Sequence, residues 1–267
     1  MREVSDNRVF DRKQIEQKTA FPVLGTIPRE PLGNNHHLLG QLPFSPPKSL
    51  KDILRWQPFR ESIDIVYENL RLLNSYKSLT VTSAIANEGK STLICGLAAS
   101  AARRHQKVLI IDANLRLPYL HQEFDILNKN GLSDWLAGRI KVPTIHPISL
   151  SGESIHLITA GSKTADPIKL LSNPRFTQLI KNLEQKYDLV LVDAPPVIGT
   201  VDSIKIASCC GGVIIVSLIN NVKLSELVEA TNLLSKFNLI GVVANDSKES
   251  PKERKQEFLL PSKNNLN

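Results

Sequence analysis

Apolar residues fall into two rhythms along this chain. Lys107–Asp112, Asp188–Asp193, Val213–Leu218 and Leu239–Ala244 hold short, nearly unbroken apolar runs, and Leu79–Ser83 and Ile155–Ala160 are short β-type stretches with polar residues among the apolar ones. Runs of that kind are what strands require when both faces of a parallel sheet are covered. Between them the spacing turns helical. Glu61–Leu73 places Ile63, Val66, Leu70 and Leu73 on one face. Ser91–Arg104, Pro174–Tyr187 and Leu224–Phe237 also read as helices, with Pro174 tolerated in its first turn. Shorter helices are expected at Lys13–Thr19 and at Gly131–Gly138, the latter anchored by Trp135. Strand and helix in alternation predict an α/β fold, a mostly parallel sheet with helices on both faces.

The remaining stretches read as connections. Phe21–Pro28 is a brief apolar piece bounded by prolines. Residues 28–50 carry five prolines and two glycines, the composition of a linker or ordered coil. The tail, Asp246–Asn267, is polar and expected to be mobile. Gly211–Ile219, the longest apolar run, is far too short to cross a bilayer. Met1–Lys13 is charged and has no apolar signal-peptide core.

The candidate chemistry begins where the first long strand meets its helix. Val81 to Thr92 reads Val-Thr-Ser-Ala-Ile-Ala-Asn-Glu-Gly-Lys-Ser-Thr. Strand, loop, Gly-Lys-Ser and helix, in that order, are the parts of a phosphate-binding P-loop, with Ala84 in place of the usual first glycine. Backbone N–H groups of the loop and helix start would face a triphosphate, and the helix dipole favours the anion. Ala84, Asn87, Glu88, Gly89, Lys90, Ser91 and Thr92 are therefore the expected nucleotide-binding residues. Lys90 would reach the β- and γ-phosphates, and the Ser91 hydroxyl would bind Mg²⁺.

Two later strands end in carboxylates, Asp112 and Asp193. Alone, either could simply cap a strand–loop junction. Ligands of open α/β sheets bind at the carboxyl ends of strands, however, so both land beside the P-loop. Phosphoryl transfer needs a phosphate cradle, a metal and a carboxylate that orients the attacking hydroxyl. Gly89-Lys90-Ser91, Asp193 and Asp112 can supply those parts, with Ser91, Asp112 and Asp193 around the metal.

Composition removes some alternatives. The net charge of +7 is spread along the chain, and no basic block with interleaved aromatics appears, so no nucleic-acid partner is expected. Three cysteines, two of them adjacent at Cys209-Cys210, make a poor disulfide framework and read as buried thiols in a reducing compartment.

Taken together, these motifs resemble those of the bacterial tyrosine kinases of the capsular exopolysaccharide family, P-loop proteins related to septum-site and chromosome-partitioning ATPases. The resemblance covers about residues 21–245. Val81–Thr92 stands as Walker A, Val108–Pro118 as the family's A′ motif and Leu189–Pro196 as Walker B. Gly131-Leu132-Ser133-Asp134, Thr159-Ala160-Gly161 and Asp166-Pro167 look like further landmarks.

The resemblance implies a P-loop NTPase of the deviant Walker A type that uses ATP and Mg²⁺ to phosphorylate protein tyrosines. It implies catalysis by Lys90, Asp112 and Arg116, and a role in exopolysaccharide export. The implied partners are a tyrosine-bearing protein substrate and a membrane-anchored polysaccharide co-polymerase that acts as activator. The implied location is cytoplasmic, at the inner face of the plasma membrane through that partner. Residues 1–59 then read as a juxtamembrane-like segment and linker, 60–247 as the kinase domain and 248–267 as a polar tail.

Four positions depart from the family pattern. The A′ motif usually reads Asp-x-Asp-x-Arg, but Asn114 holds the second acidic position. Ala194 stands where Walker B often has Thr. The helix before the P-loop usually carries Glu-x-x-Arg-x-x-Arg, used in ring assembly, and here reads Glu61, Asp64, Tyr67. The tail lacks the family's tyrosine cluster, so phosphorylation is expected on another protein or on a domain residue such as Tyr67 or Tyr76. Two other functions fit the same residues: a nucleotide-binding regulatory subunit of an export complex, and a partitioning-type ATPase. Partitioning ATPases usually carry a signature lysine five residues before the P-loop lysine, where this chain has Ile85.

Overall fold

The structure is a computed structural model, and it describes residues 8–9, 11–29, 49–74 and 76–247. The strands are β1 (Val23–Pro28), β2 (Ser78–Ser83), β3 (Val108–Asp112), β4 (His146–Leu150), β5 (Glu153–Ile158), β6 (Leu189–Asp193), β7 (Gly212–Leu218) and β8 (Leu239–Ser247). They form one eight-stranded sheet in the order β1-β8-β7-β2-β6-β3-β5-β4. Every neighbouring pair is parallel except the β4–β5 hairpin.

The helices are α1 (Arg12–Thr19), α2 (Leu50–Arg55), α3 (Gln57–Leu73), α4 (Lys90–Ala102), α5 (Leu120–Glu123), α6 (Leu132–Leu136), α7 (Pro167–Leu171), α8 (Pro174–Glu184), α9 (Asp202–Ala207) and α10 (Leu224–Leu234). They cover both faces of the sheet, so its central strands are buried on both sides; β3, β6 and β7 are almost wholly apolar, whereas β2 buries Thr80 and Thr82, whose hydroxyls donate to the Val192 and Pro195 carbonyls. Val108 and Ile110 of β3, Leu189 and Leu191 of β6, and Ile214 and Val216 of β7 pack with α2, α3 and α4. The alternate residues point the other way. Leu109, Ile111, Val190 and Val192 meet Phe176 and Ile180 of α8, and Val213 and Ile215 meet Leu227 and Leu234 of α10. The expected α/β architecture with helices on both faces is the one observed.

Two strands and four short helices add to the sequence-based expectation. β4 has a Pro at its second position and alternating burial, with only Ile148 and Leu150 buried, which suits an edge strand. Its turn into β5 is Ser151-Gly152, both at positive φ, the backbone that a two-residue hairpin needs. Helices α2, α5, α7 and α9 have four to six residues each, too short to show a helical period.

The other unexpected strand is β1, in the stretch read above as part of a segment preceding residue 60. It pairs with β8, from Val23 opposite Val242 to Pro28 opposite Ser247. Asn69 of α3 donates to the Leu24 carbonyl at 2.9 Å, and Arg29 pairs with Asp246 at 2.9 Å. The proline-rich linker from residue 30 to 48 and the tail from residue 248 onward lie outside the described residues. Of the cysteines, Cys95 is fully buried, but Cys209 and Cys210 are half-buried, because they close the turn between α9 and β7.

Gly25 measures how tightly β1 is held. A methyl group there would sit 2.7 Å from Val66 Cγ2 of α3. Overpacking of that kind costs about 1–3 kcal/mol, so Gly25→Ala is expected to lower the urea midpoint accordingly. An unchanged midpoint would mean that β1 is not packed on α3.

Candidate active site

Strand register assembles the site. Asp193 at the end of β6 lies opposite Val81 of β2 on one side and opposite Asp112, the last residue of β3, on the other. The loop after β2 then turns back to start α4 at Lys90. That return requires left-handed backbone at Asn87 (φ 64°) and Gly89 (φ 95°). A Cβ on Gly89 would also stand 2.4 Å from Asn245 Nδ2, so only glycine fits.

Lys90 is buried and donates to Ser83 Oγ at 3.0 Å. Burial pulls its pKa below the usual lysine value, against the attraction of Asp193 and Glu88. Ser91 Oγ donates to Asp193 Oδ2 at 2.6 Å. Asp193 Oδ1 is buried and has no hydrogen-bond partner. Burial raises the Asp193 carboxyl to about 6, although the Ser91 hydrogen bond and Lys90 oppose the rise. A spare carboxylate oxygen beside a serine hydroxyl is the oxygen donor set that a hard cation such as Mg²⁺ takes.

Asp112 is fully buried, and both of its oxygens are occupied. Oδ1 accepts from the Asn114 N–H at 3.1 Å, and Oδ2 from the N–H groups of Tyr119 and Leu120, each at 3.3 Å. Burial, then repulsion from Asp193, pushes its pKa up to about 8. Two adjacent carboxylates resist ionising together unless a cation stands near them.

The structure thus brings Lys90, Ser91, Asp112 and Asp193 together at one crevice. Ala84 is buried at the base of the loop, where its carbonyl accepts from Ile198. Asn87 forms the exposed turn. Glu88 belongs to the loop, but its side chain turns into the protein. Its two oxygens accept the N–H groups of Ile85 at 2.9 Å and Leu218 at 2.8 Å. Arg116 lies on the loop after β3, with 43% of its side chain exposed, and makes two bonds to Asp202 at 2.6 and 3.0 Å. Asn114 Oδ1 accepts from the Leu117 N–H at 3.3 Å, so this side chain shapes the same loop.

Tyr119 is the tyrosine that sequence reasoning passed over. It is 49% exposed, and its hydroxyl donates to Glu123 at 2.7 Å. With Ser91, Thr92, Glu123 and α2 it lines a cavity of about 340 Å³. Tyr67 and Tyr76 line a different cavity, at the opposite end of the sheet beside Lys77 and Leu189, where β2 and β6 begin. They stand at the end of the sheet away from the P-loop. Tyr119 had one readable signal: it stands seven residues after Asp112, on a loop leaving the carboxyl end of a strand.

Three carboxylates here carry raised pKa values: Asp193 at about 6, Glu88 at about 7 and Asp112 at about 8. The folded chain therefore holds protons that the unfolded chain has already released, and stability must fall as pH rises through that range. The lowered carboxyls, Asp64 and Asp134, act only in the more acidic range. The expected outcome, in EDTA without nucleotide, is a melting temperature several degrees lower at pH 8 than at pH 5.5. A flat or rising profile in calorimetry would contradict these environments.

Comparisons with known proteins agree with this geometry. Residues 79–260 match the CobQ/CobB/MinD/ParA nucleotide binding domain. The tyrosine-protein kinase ptk of Acinetobacter johnsonii is 30% identical over 257 residues, which is 92% of this chain and 33% of that protein. The tyrosine-protein kinase etk of Escherichia coli K12 is 36% identical over 140 residues, 52% of this chain and 19% of its own length. The chain thus spans a third or less of these curated relatives. Among solved structures, the kinase domain of Escherichia coli tyrosine kinase ETK superposes with a TM-score of 0.77 at 26% identity, covering 91% of this chain and 97% of that one. The chain belongs to the CobQ/CobB/MinD/ParA nucleotide-binding domain family and is a relative of the bacterial tyrosine-protein kinases.

Proposed function

We propose that this chain transfers the γ-phosphate of ATP to a tyrosine hydroxyl, as part of exopolysaccharide or capsule export. The observation that carries the reading is the hydrogen-bonded pair Ser91–Asp193, with a spare Asp193 oxygen and the buried Lys90 beside it. Ser91 and Asp193 would hold Mg²⁺, which when bound neutralises phosphate charge. Lys90 exchanges its bond to Ser83 for the β- and γ-phosphates. Asp112 orients the acceptor hydroxyl once the loop from Asn114 to Leu120, whose N–H groups now occupy it, has opened. Arg116 keeps its bond to Asp202 and so ties that loop to α9.

On this reading the acceptor is Tyr119 or a tyrosine of another protein, and a membrane-anchored co-polymerase brings the chain to the inner face of the plasma membrane. A nucleotide-binding regulatory subunit is the second reading, favoured by one observation: Asn114 is uncharged and already engaged in its loop.

The test is incubation with labelled ATP, alone and with a membrane activator peptide, followed by separation of phosphotyrosine from free phosphate. Lys90→Ala serves as control. It removes the cation facing the phosphates and should weaken nucleotide binding about tenfold or more, about 1.4 kcal/mol. Binding without phosphotyrosine under any condition would move the protein to the regulatory reading.

Asn114→Asp should accelerate the transfer. An amide in place of a carboxylate supports a metal-bound water less well, and loss of such a partner costs roughly 10- to 100-fold in affinity or activity. The expected gain in phosphotyrosine rate is of that order, with Asp112→Asn as the inactive control. No gain, with Mg-ATP binding intact, would show that Asn114 does not limit catalysis.

No stable ring is expected. Asp64 pairs with Arg103 at 2.7 Å and Arg104 at 3.3 Å of its own chain, and the Tyr67 ring lies 5.0 Å from the Arg104 guanidinium. Side chains satisfied internally leave little charge for a neighbouring subunit. Light scattering at micromolar concentration should report no discrete large oligomer; finding one would refute this.

A further inference from the structure

Glu88 stands between Asn87 and Gly89, the two left-handed residues of the phosphate loop, yet its side chain is fully buried. Its three polar groups have three separate tasks. One carboxylate oxygen takes the Ile85 N–H from the first limb of the same loop, at 2.9 Å. The other takes the N–H of Leu218, the last residue of β7, at 2.8 Å. The Glu88 carbonyl accepts from Asn245 Nδ2 near the end of β8, also at 2.9 Å. The first-turn N–H groups of α4 begin two residues later and have no intrahelical partners of their own.

We propose that Glu88 is a positioning residue for nucleotide binding: its carboxylate, anchored on β7, sets the curvature of the loop that presents Lys90 and the first-turn amides of α4 to the phosphates. The proposal rests on the reading of this loop as the nucleotide site.

The role needs a carboxylate and not merely a polar side chain of that length. The N–H groups of Ile85 and Leu218 converge on it, with that of Ala84 beside them, and the two oxygens of an ionised carboxylate have lone pairs for all of them. A glutamine offers one acceptor and sets its own NH₂ against the second donor. An alanine leaves these part-buried N–H groups without their carboxylate partner. The charge facing Glu88 is that of Lys90, which favours its ionised form, while burial holds its pKa up at about 7. Below that value one oxygen becomes a donor and the same mismatch arises in the native protein. The loop should therefore hold phosphate best above neutral pH.

The experiment is calorimetric titration of Mg-ADP into wild type, Glu88→Gln and Lys90→Ala between pH 6 and 8.5, with melting temperatures recorded for each. Glu88→Gln should bind about tenfold more weakly at pH 8.5, and the ratio of wild-type to variant affinity should shrink towards one at pH 6. Asp112, Asp193 and the nucleotide itself titrate alike in both proteins and cancel in that ratio.

Equal affinities at pH 8.5, or a ratio constant with pH even where the variant melts lower, would overturn the proposal. If Lys90→Ala abolishes binding while Glu88→Gln binds like wild type, the nucleotide site stands and the role of Glu88 fails. If wild type binds no nucleotide, both fail. Should Glu88→Gln not fold, the Ile85 and Leu218 amide resonances of the wild-type protein decide. A shared titration near pH 7 that Mg-ADP suppresses supports the proposal, and its absence overturns it.

Discussion

The hydrogen bond from Ser91 to Asp193 is the contact on which the site depends. It joins the first turn of α4 to the end of β6 across 102 residues of sequence. It forms only because β2 and β6 are neighbours in register, so that the turn out of β2 drops the helix beside the Asp193 carboxylate. On the far side, β3 ends level with β6 and sets Asp112 next to the same group. Two buried carboxylates held this close cannot both ionise comfortably, and among the described residues Lys90 is the one buried lysine beside them. Such an arrangement is under electrostatic strain in the free protein. A divalent cation bridged to phosphate would relieve it, which is how a stability cost becomes binding energy.

The loops around this point are held from outside the motif that defines it. The phosphate loop hangs on β7 and β8 through Glu88 and Asn245. The loop after β3 is tied to the start of α9 by the ion pair of Arg116 with the buried Asp202. A buried acidic group with a single half-exposed basic partner is costly to break, because the acid would remain desolvated. Opening of the Asn114–Leu120 segment over Asp112 is therefore expected to pivot on Arg116 and not to carry it away.

Much of this was legible in the residues themselves. Apolar runs identified β3, β6, β7 and β8, because strands covered on both faces are mostly apolar; β2, whose buried threonines are satisfied by neighbouring carbonyls, was legible from its β-type residues ahead of Gly-Lys-Ser. Two of those runs ended in Asp112 and Asp193, which the strand register sets side by side. Gly-Lys-Ser at a strand–helix junction placed Lys90 and Ser91. β1 was not legible, because a short piece between prolines looks the same as an edge strand or as coil, and only its pairing with β8 decides. The inward turn of Glu88 and the tie from Arg116 to Asp202 were not legible either. Their partners lie 130 and 86 residues away, and strand order alone brings them together. Tyr119 was missed for the opposite reason: its setting is local, but its exposure beside Ser91 depends on how α2 and α5 close the cavity.

On the proposed reading Ser91 and Asp193 form a metal site coupled to the phosphate loop. Crystals grown with ADP and Mn²⁺ in place of Mg²⁺ would test it directly, because manganese is located by its anomalous signal. The expected map has its peak bonded to Ser91 Oγ and to a phosphate oxygen, with Asp193 Oδ1 as a ligand directly or through one water. A peak away from Asp193, or nucleotide phosphates outside the Ala84–Thr92 loop, would contradict that assignment.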